Sequence, residues 1–212
     1  MKLLRTATAL AVLTAGLAPA TATAAAPDAP RDPVHAGPQA PRPRAAERRE
    51  AVEFFWYGCR HCAQFEPALE RWAAEHRDGA VLRRVPAVWP GGPDEQVQRA
   101  HARLYYTLER LGAVDRLQQA VFRAVREEHR DLTTEDRAAA WALTQGLDPA
   151  AFRAAYRSAD VDRLTDDAPD RLVRDRITEL PTVVVGDERT SPSTADGVER
   201  MPAAMDGMLT HP

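Results

Sequence analysis

The spacing of hydrophobic residues along the chain changes at Gly58. The segment before it, residues 51–57, is apolar on both faces apart from Glu53 and is rich in aromatic side chains. Such a segment predicts a central strand that is covered on both sides. After Gly58, apolar residues recur at steps of three and four, as on one face of a helix: Cys62, Phe65, Leu69 and Trp72. The chain therefore passes from a strand into a helix that we expect to extend to about residue 77, with a kink at Pro67.

Strand patterns are found on either side of a long region, residues 94–178, that has no strand pattern of its own. Residues 80–89 predict a second strand, and residues 180–185 and 188–190 predict a third and a fourth. A closing helix follows, because apolar residues again recur at helical spacing: Val198, Met201, Met205 and Met208.

The region between the second and third strands, residues 94–178, predicts a series of helices. Thr133 with Asp136 three residues later is typical of a capped helix N-terminus, and Asp148 followed by Pro149 is typical of another. The region far exceeds the ~12 residues that a crossover between strands needs, so we interpret it as an inserted helical domain. The predicted fold class is α/β, a thioredoxin-like fold interrupted by an inserted all-helical domain. Its expected parts are a first thioredoxin-like segment at 51–92, the insert at 93–178 and a second thioredoxin-like segment at 179–212.

The N-terminal residues have the features of a targeting segment. Lys2 and Arg5 precede an apolar run, which small residues follow up to Ala24. This order predicts a cleaved secretory signal peptide over residues 1–24, because the apolar run is shorter than the ~20 residues of a membrane-spanning helix. Residues 25–50 are rich in Pro, Ala and Arg and predict a disordered tether.

The net charge and the number of cysteines argue against two classes of protein, nucleic-acid-binding proteins and small disulfide-stabilised proteins. A formal net charge of -3 without a basic cluster gives no support for nucleic-acid binding. The two cysteines, Cys59 and Cys62, are too few for a framework of structural disulfides in an exported protein. A bridge between residues so close in sequence also removes little entropy from the unfolded chain, so stability explains the pair poorly.

The segment Cys59-Arg-His-Cys62 lies where the predicted helix begins. Unpaired backbone N–H groups and the positive end of the helix dipole stabilise a thiolate at that position. We expect Arg60 and His61 to lower the pKa of Cys59 further, by charge and by hydrogen bonding. Cys62, one turn into the helix, is expected to be less accessible. Cys59 would then be the reactive thiol and Cys62 the resolving thiol.

Two other uses of the pair are considered beside the redox one. The pair could be half of a zinc site, but four ligands are needed and the histidines have no ligand-like spacing: His35, His76, His101, His129 and His211. The pair could also be a purely structural bridge. The redox interpretation is favoured, because strand, Cys-x-x-Cys and helix follow one another in the required order. We expect no bound metal and no cofactor other than the Cys59–Cys62 disulfide.

Two segments resemble a known family. Residues 52–66, Val-Glu-Phe-Phe-Trp-Tyr-Gly-Cys-Arg-His-Cys-Ala-Gln-Phe-Glu, resemble the active-site segment of the DsbA family of periplasmic disulfide oxidases, in the thioredoxin superfamily. Residues 180–186, Leu-Pro-Thr-Val-Val-Val-Gly, resemble its cis-proline loop. The resemblance implies a periplasmic, monomeric thiol:disulfide oxidoreductase that introduces disulfides into unfolded or partly folded secreted proteins. It also implies reoxidation by a DsbB-type membrane protein linked to quinone.

The same resemblance assigns further residues to the site. Leu180 and Pro181 would bind the substrate through the backbone of Leu180, by strand addition. Glu53 corresponds to a buried acid beneath the cysteines that helps to move the proton of Cys62, and Arg84 falls where its basic partner would be. Arg60 stands where the family usually has proline, and its charge would favour the thiolate and a more oxidising pair.

One further acid and the rival functions remain to be considered from the sequence alone. Glu66 also matches an acid of the family, but we expect it on a solvated helix face. A reductase or isomerase with the same fold is the nearest rival function. A metal carrier using Cys59, His61 and Cys62, or a peptide-binding protein using the same groove, is the rival from another class.

Overall fold

The structure is a computed structural model that describes residues 48–210. The predicted signal peptide, nearly all of the predicted tether and His211 lie outside the described residues. Within 48–210, no helix is long and apolar enough to cross a membrane.

The described chain forms a four-stranded sheet with helices on its faces. The strands are β1 (Arg49–Phe55), β2 (Ala80–Pro86), β3 (Thr182–Val185) and β4 (Glu188–Thr190). The helices are α1 (Arg60–Glu75), α2 (Glu95–Arg110), α3 (Val114–Arg126), α4 (Glu135–Thr144), α5 (Pro149–Tyr156), α6 (Ala159–Arg174), α7 (Pro192–Ala195) and α8 (Met201–Thr210), and Val198–Arg200 forms a 3₁₀ turn.

The sheet has the strand order β2-β1-β3-β4, with β1 parallel to β2 and antiparallel to β3. The prediction that the strand before Gly58 is central is therefore confirmed. The strand begins two residues earlier than predicted, because Arg49 and Glu50 pair with Ala80 and Val81 instead of belonging to the tether.

The helix that carries the cysteines is α1, which begins at Arg60 directly after Cys59. It ends at Glu75, two residues before the predicted end, and Pro67 lies inside it. The apolar stripe predicted for it is buried, since its inward face consists of Cys62, Phe65, Leu69 and Trp72.

Five helices, α2 to α6, form the region between β2 and β3, as predicted. The N-terminus of α5 is capped by the side chain of Asp148, which accepts a hydrogen bond from the Ala151 N–H. The cap predicted at Thr133 is wrong by one residue, because Thr134 caps α4. The Thr133 hydroxyl instead donates to the carboxylate of Asp131 at 2.6 Å.

The core joins the helical region to the site. One buried cluster contains Phe55, Tyr57 and Cys62 together with apolar residues of α2 to α6. A second cluster lies between α1, β3 and α8 and includes Met201, Met205 and Met208, as the spacing of the methionines predicted. The helix that carries the cysteines therefore packs both against the inserted helices and against β3 and α8.

Candidate active site at the start of α1

Cys59 is the residue that caps the N-terminus of α1. Its sulfur accepts a hydrogen bond from the backbone N–H of Cys62 at 3.1 Å. The Cys62 thiol, the backbone N–H groups of Cys62 and His61, and the guanidinium of Arg126 lower the pKa of Cys59, although partial burial opposes them. Cys59 is thus the thiol of the pair that is more easily ionised.

Cys62 lies one turn further into the helix and is completely buried. Burial is the main reason why its pKa is raised well above the usual value of a thiol, and Cys59 and the carboxylate of Glu53 raise it further. Both cysteines are free thiols in this structure. Two cysteines within one helical turn therefore have pKa values displaced in opposite directions.

The positive charge near Cys59 comes from a residue that the sequence analysis did not consider. Arg126, the last residue of α3, donates from Nη1 to the carbonyl oxygen of Gly58 at 3.0 Å. Arg60 and His61 are both exposed. His61 contributes its backbone N–H to the lowered pKa of Cys59, whereas the cation among the main causes is Arg126 and not Arg60.

The loop before β3 lies against the cysteines. The peptide bond between Leu180 and Pro181 is cis. The carbonyl oxygen of Leu180 is 3.8 Å from the sulfur of Cys59 and accepts its S–H. The resemblance to a cis-proline loop therefore agrees with the structure, and the loop presents backbone atoms beside the Cys59 sulfur.

A buried ionic cluster lies beneath the helix start. Glu53 on β1 is the register partner of Arg84 on β2, and the Arg84 Nε atom is 3.3 Å from Glu53 Oε2. Glu53 is fully buried, and neither of its oxygens accepts a hydrogen bond from the described residues. Burial is the main reason why the pKa of Glu53 is raised well above its usual value, with Glu66 adding to the effect and Arg84 opposing it.

Glu66 is the third member of this cluster, and the expectation that it lies on a solvated face is wrong. It is 1% exposed and accepts a hydrogen bond from Arg84 Nη2. Burial raises the pKa of Glu66 to about 7, against the opposing charge of Arg84. The sequence signal that could have found it is its spacing, four residues after Cys62 and three before Leu69, which places it beside the apolar face of the helix.

A neighbouring polar pair connects this cluster to the inserted helices. The hydroxyl of Tyr57 donates to Gln118 Oε1 of α3 at 2.7 Å, in a fully buried position. The buried amide of Gln118 also lowers the pKa of Glu66. Sequence analysis missed Gln118, because its contact depends on how α3 packs on the sheet.

The structure thus brings together the cysteines, Glu53, Arg84, Leu180 and Pro181. Among residues 48–210, no group of three or more His, Cys, Asp or Glu side chains is arranged to hold a metal ion. What the geometry supplies is a pair of unlike thiols, a backbone edge beside the outer thiol and a buried acid near the inner one. Those parts suit thiol–disulfide exchange.

Comparison with known proteins decides the family. Residues 77–206 match the family described as DSBA-like thioredoxin domain. The thiol:disulfide interchange protein DsbA of Burkholderia cepacia is 33% identical to the chain over 198 residues, which are 93% of this chain and 90% of that protein. The chain belongs to the DsbA family. Because the Burkholderia match covers so much of the chain, it also spans the Cys59–Cys62 segment that the family match leaves out.

Other relatives in the DsbA family support the same assignment. DsbA of Azotobacter vinelandii is 34% identical over 151 residues, 71% of this chain and 68% of that protein. The crystal structure of Pseudomonas aeruginosa DsbA superposes with a TM-score of 0.70 at 29% identity, covering 80% of this chain and 87% of that one. DsbA of Xylella fastidiosa gives a TM-score of 0.68 at 27% identity, covering 79% and 87%.

Membership of the DsbA family confirms the predicted fold class and the enzymatic class. The chain is a thiol:disulfide oxidoreductase with a thioredoxin-like fold and an inserted helical region. Members of the DsbA family work through a redox-active disulfide and not through a bound cofactor.

Proposed function

We propose that Cys59 and Cys62 are the redox-active pair of this enzyme and that it oxidises client dithiols. In the first step a client thiolate attacks the Cys59 sulfur of the Cys59–Cys62 disulfide, and Cys62 leaves as a thiolate that takes up a proton. In the second step another client thiolate attacks the client sulfur of the mixed disulfide, and Cys59 leaves as a thiolate. The client loses two electrons and gains a disulfide, while the enzyme pair gains the electrons.

The observation that carries this proposal is the opposite displacement of the two cysteine pKa values. A thiol with a lowered pKa is the better leaving group, so the mixed disulfide at Cys59 resolves readily toward oxidised client. Cys62, buried and with a raised pKa, needs a proton when it leaves. Stabilising the Cys59 thiolate also stabilises the reduced enzyme, which makes its disulfide a stronger oxidant.

We propose that Glu53 gives a proton to the Cys62 thiolate as it leaves the disulfide. Its carboxylate is one of the charges that raise the pKa of Cys62. Its own pKa is raised by burial, which favours the protonated carboxyl group, the form that can give a proton to the departing Cys62 thiolate. Arg84 is the counter-charge that limits this rise, and we assign it a modulating role.

Leu180 and Pro181 are proposed to bind the client. The Leu180 carbonyl beside Cys59 offers an acceptor to the backbone of an extended polypeptide, so the client sulfur would be delivered to the exposed side of the disulfide. Proline adds no N–H group that would compete for the client. Arg60 and His61, both exposed at the helix start, are proposed to modulate the approach of the client thiolate.

Partners and location follow from the family. We propose that the clients are unfolded or partly folded secreted polypeptides in the periplasm, and that a DsbB-type membrane oxidase coupled to quinone restores the disulfide. The relatives carry the name thiol:disulfide interchange protein DsbA. A secretory signal peptide at residues 1–24 fits an exported enzyme.

The decisive experiment combines a redox equilibrium with trapping. The Cys59–Cys62 pair is equilibrated with reduced and oxidised glutathione. We expect a reduction potential well above that of thioredoxin, whose own potential is about -270 mV. A thioredoxin-like value would overturn the oxidase assignment in favour of a reductase. In parallel, Cys62→Ser is mixed with an unfolded client whose cysteines carry glutathione: the Cys59 thiolate should attack the client sulfur, release glutathione as its thiol and accumulate as a mixed disulfide, whereas Cys59→Ser should not. The reverse result would exchange the roles of the two cysteines.

A further inference from the structure

Glu179 lies at the edge of the site and has no part in the exchange described above. It stands directly before Leu180, whose carbonyl oxygen is 3.8 Å from the Cys59 sulfur. Its own backbone carbonyl accepts a hydrogen bond from the Thr182 hydroxyl at 2.8 Å. The residue is therefore fixed to the loop along which we propose that the client lies.

The carboxylate of Glu179 is held in place by two serines beyond β4. The Ser191 hydroxyl donates to Glu179 Oε1 at 2.5 Å, and the Ser193 hydroxyl donates to the same oxygen. Ser191 is itself fixed by a reciprocal pair of hydrogen bonds with Thr194 at the start of α7. A carboxylate positioned in this way loses little side-chain freedom when a partner binds.

The carboxylate of Glu179 is charged and lies near the start of α1. The donors Ser191 and Ser193 lower the pKa of Glu179, and the nearby His61 of the Cys-Arg-His-Cys segment lowers it further. Glu179 is only partly buried. It thus supplies a negative charge on the loop side of the cysteines, whereas Arg60 and Arg126 supply positive charges at the start of α1 and the end of α3.

We propose that Glu179 is a specificity-determining residue that favours clients with a Lys or Arg next to the reacting cysteine. A client extended along Leu180 would place a flanking side chain near this fixed carboxylate, where a cation gains attraction and an anion meets repulsion. The inference rests on the proposed function, because it needs the client to lie on the Leu180 loop.

The test uses short peptides that differ in one residue. Each contains a single cysteine flanked, on one side or the other, by Lys, Gln or Glu, and the rate of attack on the oxidised full-length enzyme is measured. For at least one side, the Lys peptide should react roughly two- to fivefold faster than the Glu peptide, the range expected of an exposed ion pair. Each rate is divided by the rate of the same peptide with oxidised glutathione, which removes the effect of the flanking charge on the peptide thiol itself.

The variant Glu179→Gln keeps a hydrogen-bond acceptor for the serines but removes the charge. It should abolish the preference for Lys over Glu while the Gln peptides react at rates near those of the wild type. Glu75→Gln removes an exposed carboxylate at the far end of α1 and should keep the preference. High salt should reduce the preference of the wild type, since the interaction is solvent-exposed.

Three results would overturn the inference. One is an unchanged preference in Glu179→Gln, and another is an equal loss in Glu75→Gln. The third is a uniform slowing of all peptides by Glu179→Gln, which would mean that the residue only braces the loop. If no peptide is oxidised by the wild type, the proposed function itself fails, and that outcome is distinct from these three.

Discussion

Arg84 of β2 shares its guanidinium between two buried carboxylates, Glu66 on α1 and Glu53 on β1, and its hydrogen bond goes to Glu66. One cation therefore faces two buried acids, and the cluster is negative by one charge when both acids are ionised. Removing charges from water is costly, so such a cluster favours a proton on one of the acids.

Replacing Glu66 by Gln should change how stability depends on pH. The pKa of Glu66 in the folded protein is raised to about 7, so between its unfolded value near 4.5 and pH 7 the folded state binds a proton more tightly than the unfolded state. Stability from this group is therefore present below the unfolded pKa and is lost as the pH rises through 7. Glu66→Gln should reduce this loss in the free energy of unfolding, by on the order of 3 kcal/mol at most.

Urea unfolding at a series of pH values from 5 to 8 would measure this effect. The background Cys59→Ala/Cys62→Ala removes the titration of the thiols. Glu75→Gln in the same background serves as the control, because Glu75 is exposed on the same helix. If Glu66→Gln and Glu75→Gln show the same pH dependence, Glu66 does not bind a proton in this range.

Replacing Glu53 by Gln should slow exchange without unfolding the protein. The amide fills the same space and cannot give a proton to Cys62, so reduction of the Cys59–Cys62 disulfide by a dithiol should slow roughly ten- to a hundredfold. The pKa of Cys62 should fall, because the Glu53 charge that raises it is gone. Stopped-flow kinetics across a range of pH would measure the rate, and thiolate absorbance would measure the pKa.

The matched control for Glu53 is another acid of β1. Glu50 pairs with the neighbouring Arg83 at 3.1 Å, but the side chains of both are exposed. Glu50→Gln should therefore leave the exchange rate and the pKa of Cys62 at their wild-type values. Equal kinetics in Glu53→Gln and Glu50→Gln would remove Glu53 from the mechanism.

Replacing Arg126 by Gln should raise the pKa of Cys59. The guanidinium bound to the Gly58 carbonyl is among the causes that lower this pKa, but it is exposed, so solvent screening should keep the rise small. The enzyme should become a weaker oxidant in the glutathione equilibrium, because its reduced form is less stabilised. The difference between variant and wild type should shrink at high salt.

Two arginines serve as references for Arg126. Arg123→Gln removes an exposed charge one turn earlier on α3, and it should leave the pKa of Cys59 unchanged. Arg60→Gln tests the charge that the sequence pointed to, and its effect should be smaller than that of Arg126→Gln. A larger effect of Arg60→Gln would restore the sequence-based interpretation.

The sequence predicts those parts of the site that depend on local pattern. The strand before Gly58 is apolar enough to reveal its central place, and the period change at Gly58 puts Cys59 at a helix start. Glu53 is conspicuous because it interrupts an apolar strand. The loop at Leu180 is recognised by its resemblance to a family motif.

The parts that were missed depend on contacts between distant segments. Arg126 reaches Gly58 only because α3 packs beside α1, and nothing in its own surroundings on the chain marks it. Glu66 was expected to be solvated because it is charged, but its spacing from Cys62 and Leu69 places it beside the buried face of α1, where Arg84 supplies a partner. Thr133 and Thr134 are adjacent candidates for one cap, and the choice is made by Asp131, which binds the Thr133 hydroxyl.

Replacing Gly58 by Ala should destabilise the turn that leads into the cysteines. A Cβ atom there would lie 2.4 Å from the ring of Trp56, which donates from Nε1 to Nδ1 of the buried His101 at 2.9 Å. Burial lowers the pKa of His101 to about 4, so the ring is a neutral acceptor at neutral pH. The indole must move and weaken this hydrogen bond, at a cost of about 1–3 kcal/mol.

The control for Gly58 is Gly207 in α8, where a Cβ atom meets nothing within 4 Å. Gly207→Ala should stabilise the protein by about 0.4–1 kcal/mol, because alanine restricts the unfolded chain more than glycine does. Urea unfolding of both variants separates the two effects, and Trp56→Phe separates the hydrogen bond from the clash. If Gly58→Ala is as stable as the wild type, the Trp56 ring adapts without loss, and its hydrogen bond to His101 does not hold the turn before Cys59.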